Sequence, residues 1–258
     1  MALGFFLARR GTVAAIALAL TFACVVGFGV IAFVLAHRHR VGSLSSVPLV
    51  ASTVLAYGVG VLVAFTLATR VFRRDEDDGV RALFDARGVS TGGYLFARVS
   101  GLALSLAILV GGGSLATGLL ALLASRSATV AAQTVQASLA AVVFGVAFAG
   151  VFAPVAIATL GGRSRGAGYL ALLAVLLAPE LFERSIARVV PPSWIPVCSI
   201  PGALVGLRTS LAPVGVDFPL AGRSLVVLLA VIGASLAVVR LELAFRQRSV
   251  SARGQPRK

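Results

Sequence analysis

Charged side chains are scarce in this sequence. Of its 258 residues, 12% are charged and only nine are acidic, while 59% are hydrophobic and the mean hydropathy is +1.00. About a quarter of the residues in a typical soluble domain are charged. The composition therefore excludes an ordinary soluble globular protein and predicts a chain that lies mostly within a lipid bilayer.

Lysine and cysteine are also rare, and each shortage excludes a class of function. The one lysine is Lys258, the last residue, whereas a P-loop needs a lysine directly after its glycine-rich turn. We therefore do not expect the chain to hydrolyse ATP at a P-loop of its own. The two cysteines, Cys24 and Cys198, provide neither a disulfide framework nor the ligand spacing of a zinc site, and we expect no resident cofactor or metal.

Arginine provides almost all of the positive charge, and the formal net charge is +14. In a soluble domain such an excess would suggest nucleic-acid binding. Here the arginines fall in short segments between apolar runs, which is typical of the positive-inside pattern of membrane proteins. With the N-terminus inside, the inner segments contain sixteen of the 23 basic residues and the outer segments seven. The pattern predicts a cell (inner) membrane protein with both termini in the cytoplasm and no nucleic-acid partner.

Six apolar runs are long enough, or nearly long enough, to cross a bilayer. Backbone amides in lipid must be hydrogen-bonded within their own segment, so we expect each run to be helical. The first run exceeds the roughly 7–15 residues of a signal-peptide core, and we expect it to be retained. The sequence thus predicts an all-α, polytopic membrane protein whose single domain covers 1–258, with spans at about 11–36, 47–69, 99–124, 137–160, 167–182 and 224–243.

Proline is concentrated between the fifth and sixth runs. Six of the ten prolines lie in residues 191–219, and this stretch is nevertheless apolar. Irregular backbone is tolerated at membrane depth where it is buried against protein. The pattern predicts a proline-broken external hairpin between spans five and six, with short helices over 183–219 that dip into the outer leaflet.

Most of the acidic residues, together with six arginines, are gathered in residues 70–99. This segment contains the pattern of a short helix over about 79–87. Asp77 or Asp78 is suited to cap its start, and Gly88 is suited to its C-terminal turn. The segment is expected to lie on the cytoplasmic side, between the second and third spans.

The residues of this short helix divide into two faces. Val80, Leu83 and Phe84 follow i, i+3, i+4 spacing and form an apolar stripe, while Arg81 and Asp85 form an i, i+4 pair on the opposite face. An amphipathic helix held between two spans fits this pattern. A solvated charged loop fits it equally well on periodicity alone.

The order of residue types in this segment is more specific than its periodicity. Basic, aromatic and acidic positions precede an Asp-Gly pair and a short apolar helix, and the third span is entered through an aromatic and a basic residue. The positions concerned are Arg70, Phe72, Arg73, Asp75, Asp78, Gly79, Leu83, Tyr94, Leu95 and Arg98. This order resembles the intracellular loop of type-2 ATP-binding-cassette permeases, especially the B subunit of the bacterial haem exporter of cytochrome c maturation. A weaker resemblance to the same family covers residues 150–182.

The resemblance implies both a function and a site. Residues 75–87 would form a coupling helix that docks on a separate ATPase subunit. The chain would be the permease subunit of an exporter that works as a dimer with a second copy or a paralogue, and it would not itself be an enzyme. Haem export for cytochrome c maturation is one alternative, and a non-transporting membrane scaffold or assembly protein is another. The residues implied to couple permease to ATPase are Asp78, Gly79, Val80, Leu83, Phe84 and Asp85.

Two weaker patterns have simpler explanations. Residues 162–166 match G-x-S-x-G, but Ser164 would need a nearby base, and His37 and His39 are expected on the other side of the bilayer. A glycine-rich basic turn is therefore favoured over a membrane hydrolase. The two histidines lack a third ligand, so a loop at the headgroup boundary is favoured over a metal or haem contact.

Three residues near the outer end of the fifth run are candidates for the translocation path or an external site. They are Glu180, Glu183 and Trp194. Carboxylates at membrane depth are costly and therefore often functional. Glu180 and Arg184 also have i, i+4 spacing, so a structural ion pair is the alternative.

Overall fold

The computed structural model of this protein describes residues 12–38, 43–69, 71–162, 165–186, 188–213 and 217–253, and the regular secondary structure in these ranges is helical throughout. In chain order the helices are α1 (Thr12–His37), α2 (Ser46–Ala68), α3 (Val71–Asp77), α4 (Val80–Ala86), α5 (Thr91–Ala124), α6 (Ala128–Leu160), α7 (Arg165–Leu181), α8 (Glu183–Ile186), α9 (Ile200–Thr209) and α10 (Phe218–Arg253), with a 3-10 helix at Pro192–Val197.

Five of these helices, α1, α2, α5, α6 and α10, are long and apolar enough to cross a membrane. This confirms the prediction of an all-helical, multi-pass membrane protein. The helix at the predicted fifth span, α7, is shorter, with an apolar part at Gly166–Leu181. At about 1.5 Å per residue its 17 residues extend over roughly 25 Å, slightly less than the ~30 Å hydrocarbon core of a typical bilayer.

The third and fourth spans begin well before their apolar runs. The third begins at Thr91 rather than near 99, and the fourth begins at Ala128 rather than near 137. Serine caps fix both starts: the side chains of Ser90 and Ser127 accept hydrogen bonds from the backbone N–H three residues later, at 3.2 and 3.4 Å. Hydropathy located the spans, but the caps determine where the helices begin.

Helix α6 lies at the centre of the bundle and packs on α2, α5, α7, α9 and α10. Every residue from Val151 to Leu160 is buried. Near its middle, the backbone of α6 approaches that of α5 closely, because a Cβ added at Gly145 would lie 2.8 Å from the backbone nitrogen of Gly111. Small residues permit this kind of approach between helices in a membrane.

Helices α2 and α5 each contain a π-helical segment, at Leu55–Gly60 and Ala107–Gly112, and the two segments are in contact. Wider turns of this kind occur often at functional sites. The segment in α2 directs the ring of Tyr57 towards α6, where it lies edge-on to Phe144 and Phe148 at centroid distances of 6.5 and 5.9 Å.

The charged segment and the proline-rich segment lie at opposite ends of the bundle. At one end, the N–H of Phe72 in α3 donates to the carbonyl of Gly161, where α6 stops, at 3.4 Å. At the other end, the side-chain amide of Gln136, near the start of α6, donates to the carbonyl of Leu211 at 3.4 Å. The bundle therefore has two distinct ends, each with its own irregular structure.

The proline-rich segment is built from α8, the 3-10 helix and α9. Val197, Ile200 and Leu204 are buried against the bundle. The hydroxyl of Ser199 caps α9 by accepting from the N–H of Gly202 at 2.9 Å. Capping and burial hold this segment against the rest of the chain although its prolines interrupt the helices.

Candidate functional site

The charged segment forms two short helices rather than one. Helix α3 ends at Asp77, α4 begins at Val80, and Gly79 between them has a φ of 66°, which glycine adopts without strain. The predicted helix over about 79–87 is thus confirmed as α4. A continuous coupling helix over 75–87 is wrong, and Asp77 belongs to the preceding helix instead of capping α4, because the chain turns sharply at the glycine.

The end of α4 follows the predicted pattern. Gly88 has a φ of 67°, and the N–H of Val89 donates to the carbonyl of Phe84 at 3.0 Å. The N–H of Arg87 donates to the carbonyl of Leu83 at 3.3 Å. These bonds satisfy the last carbonyls of α4 in the manner of a glycine C-cap.

Asp75 lies inside the protein, whereas its neighbours Glu76, Asp77 and Asp78 are exposed. Only 3% of its surface is exposed, and its carboxylate accepts hydrogen bonds from the Tyr94 hydroxyl and from two nitrogens of Arg98. The Nε of Arg98 lies 2.6 Å from Oδ2. The charge of Asp75 is therefore bound within the chain and is not available at the surface of the charged segment.

The surroundings of this carboxylate act on its pKa in opposite directions. Burial raises the pKa of Asp75 above its usual value, and the Tyr94 hydroxyl and the Arg98 guanidinium offset only part of this rise. The bidentate arrangement of Arg98 fits an ionised carboxylate. Since Tyr94 and Arg98 are one helical turn apart in α5, the carboxylate ties α3 to the beginning of a spanning helix.

Aromatic rings fill the space beside this ion pair. Tyr94 and Phe72 are each 2% exposed, with ring centroids 6.4 Å apart. The half-buried ring of Phe84 in α4 lies edge-on to that of Tyr94 at 5.5 Å. Phe84, predicted as part of a partner-facing stripe, therefore has its ring against the protein's own core, and Tyr94 contacts both short helices.

Of the other predicted coupling residues, Asp78, Gly79 and Leu83 lie on the outer surface of the charged segment. Leu83 is 47% exposed, Val80 is half-buried, and Asp78 and Gly79 are exposed at the turn. Asp85 lies on α4, and its predicted pair with Arg81 falls outside the described side chains. Among the described side chains of α3 and α4, Leu83 is thus the large apolar residue that is exposed, and it lies beside an acidic turn.

The candidates at the other end of the bundle occupy two different settings. Glu180 and Glu183 line an opening of about 270 Å³ between the end of α7 and the proline-rich segment. The hydroxyl of Ser199 donates to Oε1 of Glu180 at 3.3 Å. Trp194 is half-buried and packs against the hydrophobic core. The structure therefore brings the two glutamates together at one opening, while the predicted pair of Glu180 with Arg184 lies outside the described side chains.

Two of the weaker sequence patterns fall partly outside the described residues. Ser164 of the G-x-S-x-G match and His39 lie there, while His37 is the last residue of α1. Comparison of the chain with protein-family models, with curated proteins and with solved structures finds no match.

Proposed function

We propose that this chain is the membrane-spanning permease subunit of an ATP-binding-cassette exporter, paired with a second copy or a paralogue and driven by a separate ATPase subunit. The observation that carries the proposal is the pair of short helices, α3 and α4, fixed to α5 by the bond between Asp75 and Arg98. Because α3 and α4 are held to a spanning helix in this way, a soluble partner that displaces them would also displace α5. The lack of a P-loop lysine in the chain fits ATP hydrolysis on another subunit.

The contacts inside the charged segment provide a route for force. Leu83 is exposed, and the next residue, Phe84, packs on Tyr94 near the start of α5. ATP-driven closure of the ATPase subunits would press on α4, and rigid packed contacts would pass the displacement to α5. Movement of α5 against α6 would then open a path at the interface between the two permease subunits.

The exposed surface also indicates what kind of partner surface would fit. An apolar side chain at the centre of an interface contributes most of the binding energy, and charges around it set orientation. Leu83 would be the apolar anchor, and Glu76, Asp77 and Asp78 would form an acidic rim. We therefore expect an apolar pocket with basic residues around it on the ATPase subunit.

The proposal also fixes the orientation of the chain in the cell membrane. ATP is cytoplasmic, so α3, α4 and both termini would be cytoplasmic, and the proline-rich hairpin would lie in the outer leaflet. Helix α7 would also cross the membrane, as the fifth of six spans in chain order. In support, a Cβ at Gly168 would lie 3.1 Å from the Thr159 carbonyl near the end of α6, while Glu180 bonds to Ser199 in the hairpin.

Co-purification tests the proposal. The tagged full chain is expressed in its native membrane and extracted in mild detergent, and any subunit with a P-loop is quantified by mass spectrometry. Leu83→Glu places a charge at the apolar anchor and should reduce the recovered ATPase at least about tenfold, as expected for a central interface residue. The matched control is Val189→Glu, an 86% exposed valine in the proline-rich segment, which should leave recovery unchanged.

The same experiment separates the alternatives. If wild type retains no ATPase, the permease assignment fails and a non-transporting scaffold is favoured. If Leu83→Glu retains as much ATPase as wild type, α4 is not the docking element. Stimulation of the purified complex's ATPase activity by haem would favour the haem-exporter alternative over other cargo.

A further inference from the structure

Arg208 occupies an unusual position in α9. Its Nη1 donates to the Leu49 carbonyl at 2.8 Å and to the Thr53 hydroxyl, and its guanidinium carbon lies 5.1 Å from the centre of the Phe144 ring. Leu49 and Thr53 follow the first residue of α2 by three and seven positions. At 1.5 Å per residue, the guanidinium is about 5–10 Å along α2 from its end, within the bundle.

The charge of Arg208 has no carboxylate partner among the described residues. Its Nη1 is satisfied by Leu49 and Thr53, but no described residue accepts a hydrogen bond from its Nη2 or Nε. A guanidinium carries five N–H donors and matches the geometry of carboxylates and phosphates. Ionisable side chains at such depth are costly and tend to mark functional sites.

A second polar group without a partner lies beside the first. The hydroxyl of Tyr57 is buried and makes no hydrogen bond to any described residue. Tyr57 follows Thr53 by one turn of α2, and its ring contacts Phe144, the same ring that the guanidinium covers. Arg208 and Tyr57 therefore both contact the ring of Phe144, and each has a donor without a partner among the described residues.

The neighbouring side chains on the outside of the bundle are apolar. Val50 and Val54, beside Leu49 and Thr53, are 50% and 42% exposed, and Val205, one turn before Arg208 in α9, is 38% exposed. A polar centre at the edge of an apolar surface suits a molecule with a charged head and a hydrocarbon chain. A small soluble anion would use only the polar part.

We propose that Arg208 and Tyr57 bind the anionic headgroup, a phosphate or a carboxylate, of an amphiphile whose hydrocarbon chain lies along Val50, Val54 and Val205. The guanidinium would donate from Nη2 and Nε to the headgroup oxygens, and the Tyr57 hydroxyl would donate to the same group. Charge-assisted bonds of this kind are about twice as strong as neutral ones. The site does not depend on an ATPase partner, so it stands or falls separately from the permease assignment.

The test uses the purified full chain and two lipids with identical acyl chains. Native mass spectrometry measures how many molecules of phosphatidylglycerol or phosphatidylcholine stay bound as detergent is removed in the gas phase. Wild type should retain phosphatidylglycerol in preference. Arg208→Gln and Tyr57→Phe should each lower its retention about tenfold, as expected for the loss of a hydrogen bond to a charged group. Arg126→Gln removes an exposed arginine at the same end of the bundle and should match wild type.

Several outcomes would overturn the proposal. Equal retention of the two lipids by wild type would exclude an anion-specific site, and unchanged retention by Tyr57→Phe would exclude the hydroxyl as a donor. Tyr57→Phe keeps the ring contacts with Phe144 and Phe148, so it remains informative even if Arg208→Gln fails to fold. Displacement of the lipid by excess inorganic phosphate would show a site for soluble anions, which would contradict the role of the hydrocarbon chain.

Discussion

Arg98 binds the carboxylate of Asp75 with two nitrogens, across 23 residues of sequence. Asp75 belongs to the short helix α3, which would be cytoplasmic in the proposed orientation. Arg98 belongs to the spanning helix α5. Together with the Tyr94 hydroxyl they form a buried polar cluster that fixes the charged segment relative to the bundle.

Removal of one member of the ion pair should be strongly destabilising. Arg98→Ala leaves a buried carboxylate without its counter-charge, which typically costs about 3–5 kcal/mol. Thermal unfolding of the detergent-solubilised chain measures the effect. Arg87→Ala, which removes an exposed arginine from the same segment, is the control and should shift the unfolding temperature little. Equal shifts for the two variants would contradict the proposed importance of the pair.

Tyr94→Phe should have a smaller effect that isolates the hydroxyl. The variant keeps the ring contacts with Phe72 and Phe84 but removes one donor to Asp75. Loss of a hydrogen bond to a charged group corresponds to about 1.5–3 kcal/mol of unfolding free energy. In combination with Arg98→Ala the effects should not be additive, because both residues act on one carboxylate. Strict additivity in a double-mutant cycle would show that the two bonds are independent.

The contact between α5 and α6 provides a third prediction. Gly145→Ala would place a Cβ 2.8 Å from the Gly111 backbone nitrogen, so the helices must separate, at a cost of about 1–3 kcal/mol or more. Gly150→Ala lies in the same helix, where an added Cβ meets nothing within 4 Å, and should be neutral or slightly stabilising. The unfolding temperature should fall in Gly145→Ala and not in Gly150→Ala. A neutral Gly145→Ala would mean that the close approach is absent.

Neighbouring residues of α4 should differ in their effect on stability. Phe84→Ala removes a ring that packs on Tyr94 and should reduce the unfolding free energy by about 2–4 kcal/mol, at the lower end because the ring is only half-buried. Leu83→Ala alters an exposed side chain and should remain within about 0.5 kcal/mol of wild type. Loss of ATPase binding without loss of stability is thus expected at Leu83 only. A loss of stability in Leu83→Ala, together with unchanged stability and lost ATPase binding in Phe84→Ala, would contradict this assignment.

Labelling with a membrane-impermeant maleimide should distinguish the two ends of the bundle. With Cys24 and Cys198 replaced by serine, Asp217→Cys in the proline-rich end should react in intact cells. Asp77→Cys should react only after the cells are opened. Both positions are exposed in the structure, so reactivity reports the side of the membrane and not burial. Reaction of Asp77→Cys in intact cells would invert the proposed orientation.

Sequence alone predicted the features that depend on local patterns. The apolar runs located the spanning helices, and Gly88 correctly indicated the end of α4 because its φ is positive. The role of Asp75 could not be predicted, since its partners are 19 and 23 residues away and nothing in the local spacing indicates burial. The position of Arg208 gives no local signal either, because its partners Leu49 and Thr53 are 159 and 155 residues away.

Hydropathy did not predict the π-helical segments either. These segments affect how the sequence should be aligned with those of other proteins. A π turn accommodates one more residue than the α turn it replaces, while both ends of the helix keep their places. A relative with an ordinary α-helix in its second span would be one residue shorter between Leu55 and Gly60, and the same holds between Ala107 and Gly112. An alignment that forbids gaps within spans would pair every later residue of the helix with a neighbour about 100° away around the axis. A search for distant relatives should therefore allow one single-residue gap in the middle of each of these two spans. Such gaps would support homology.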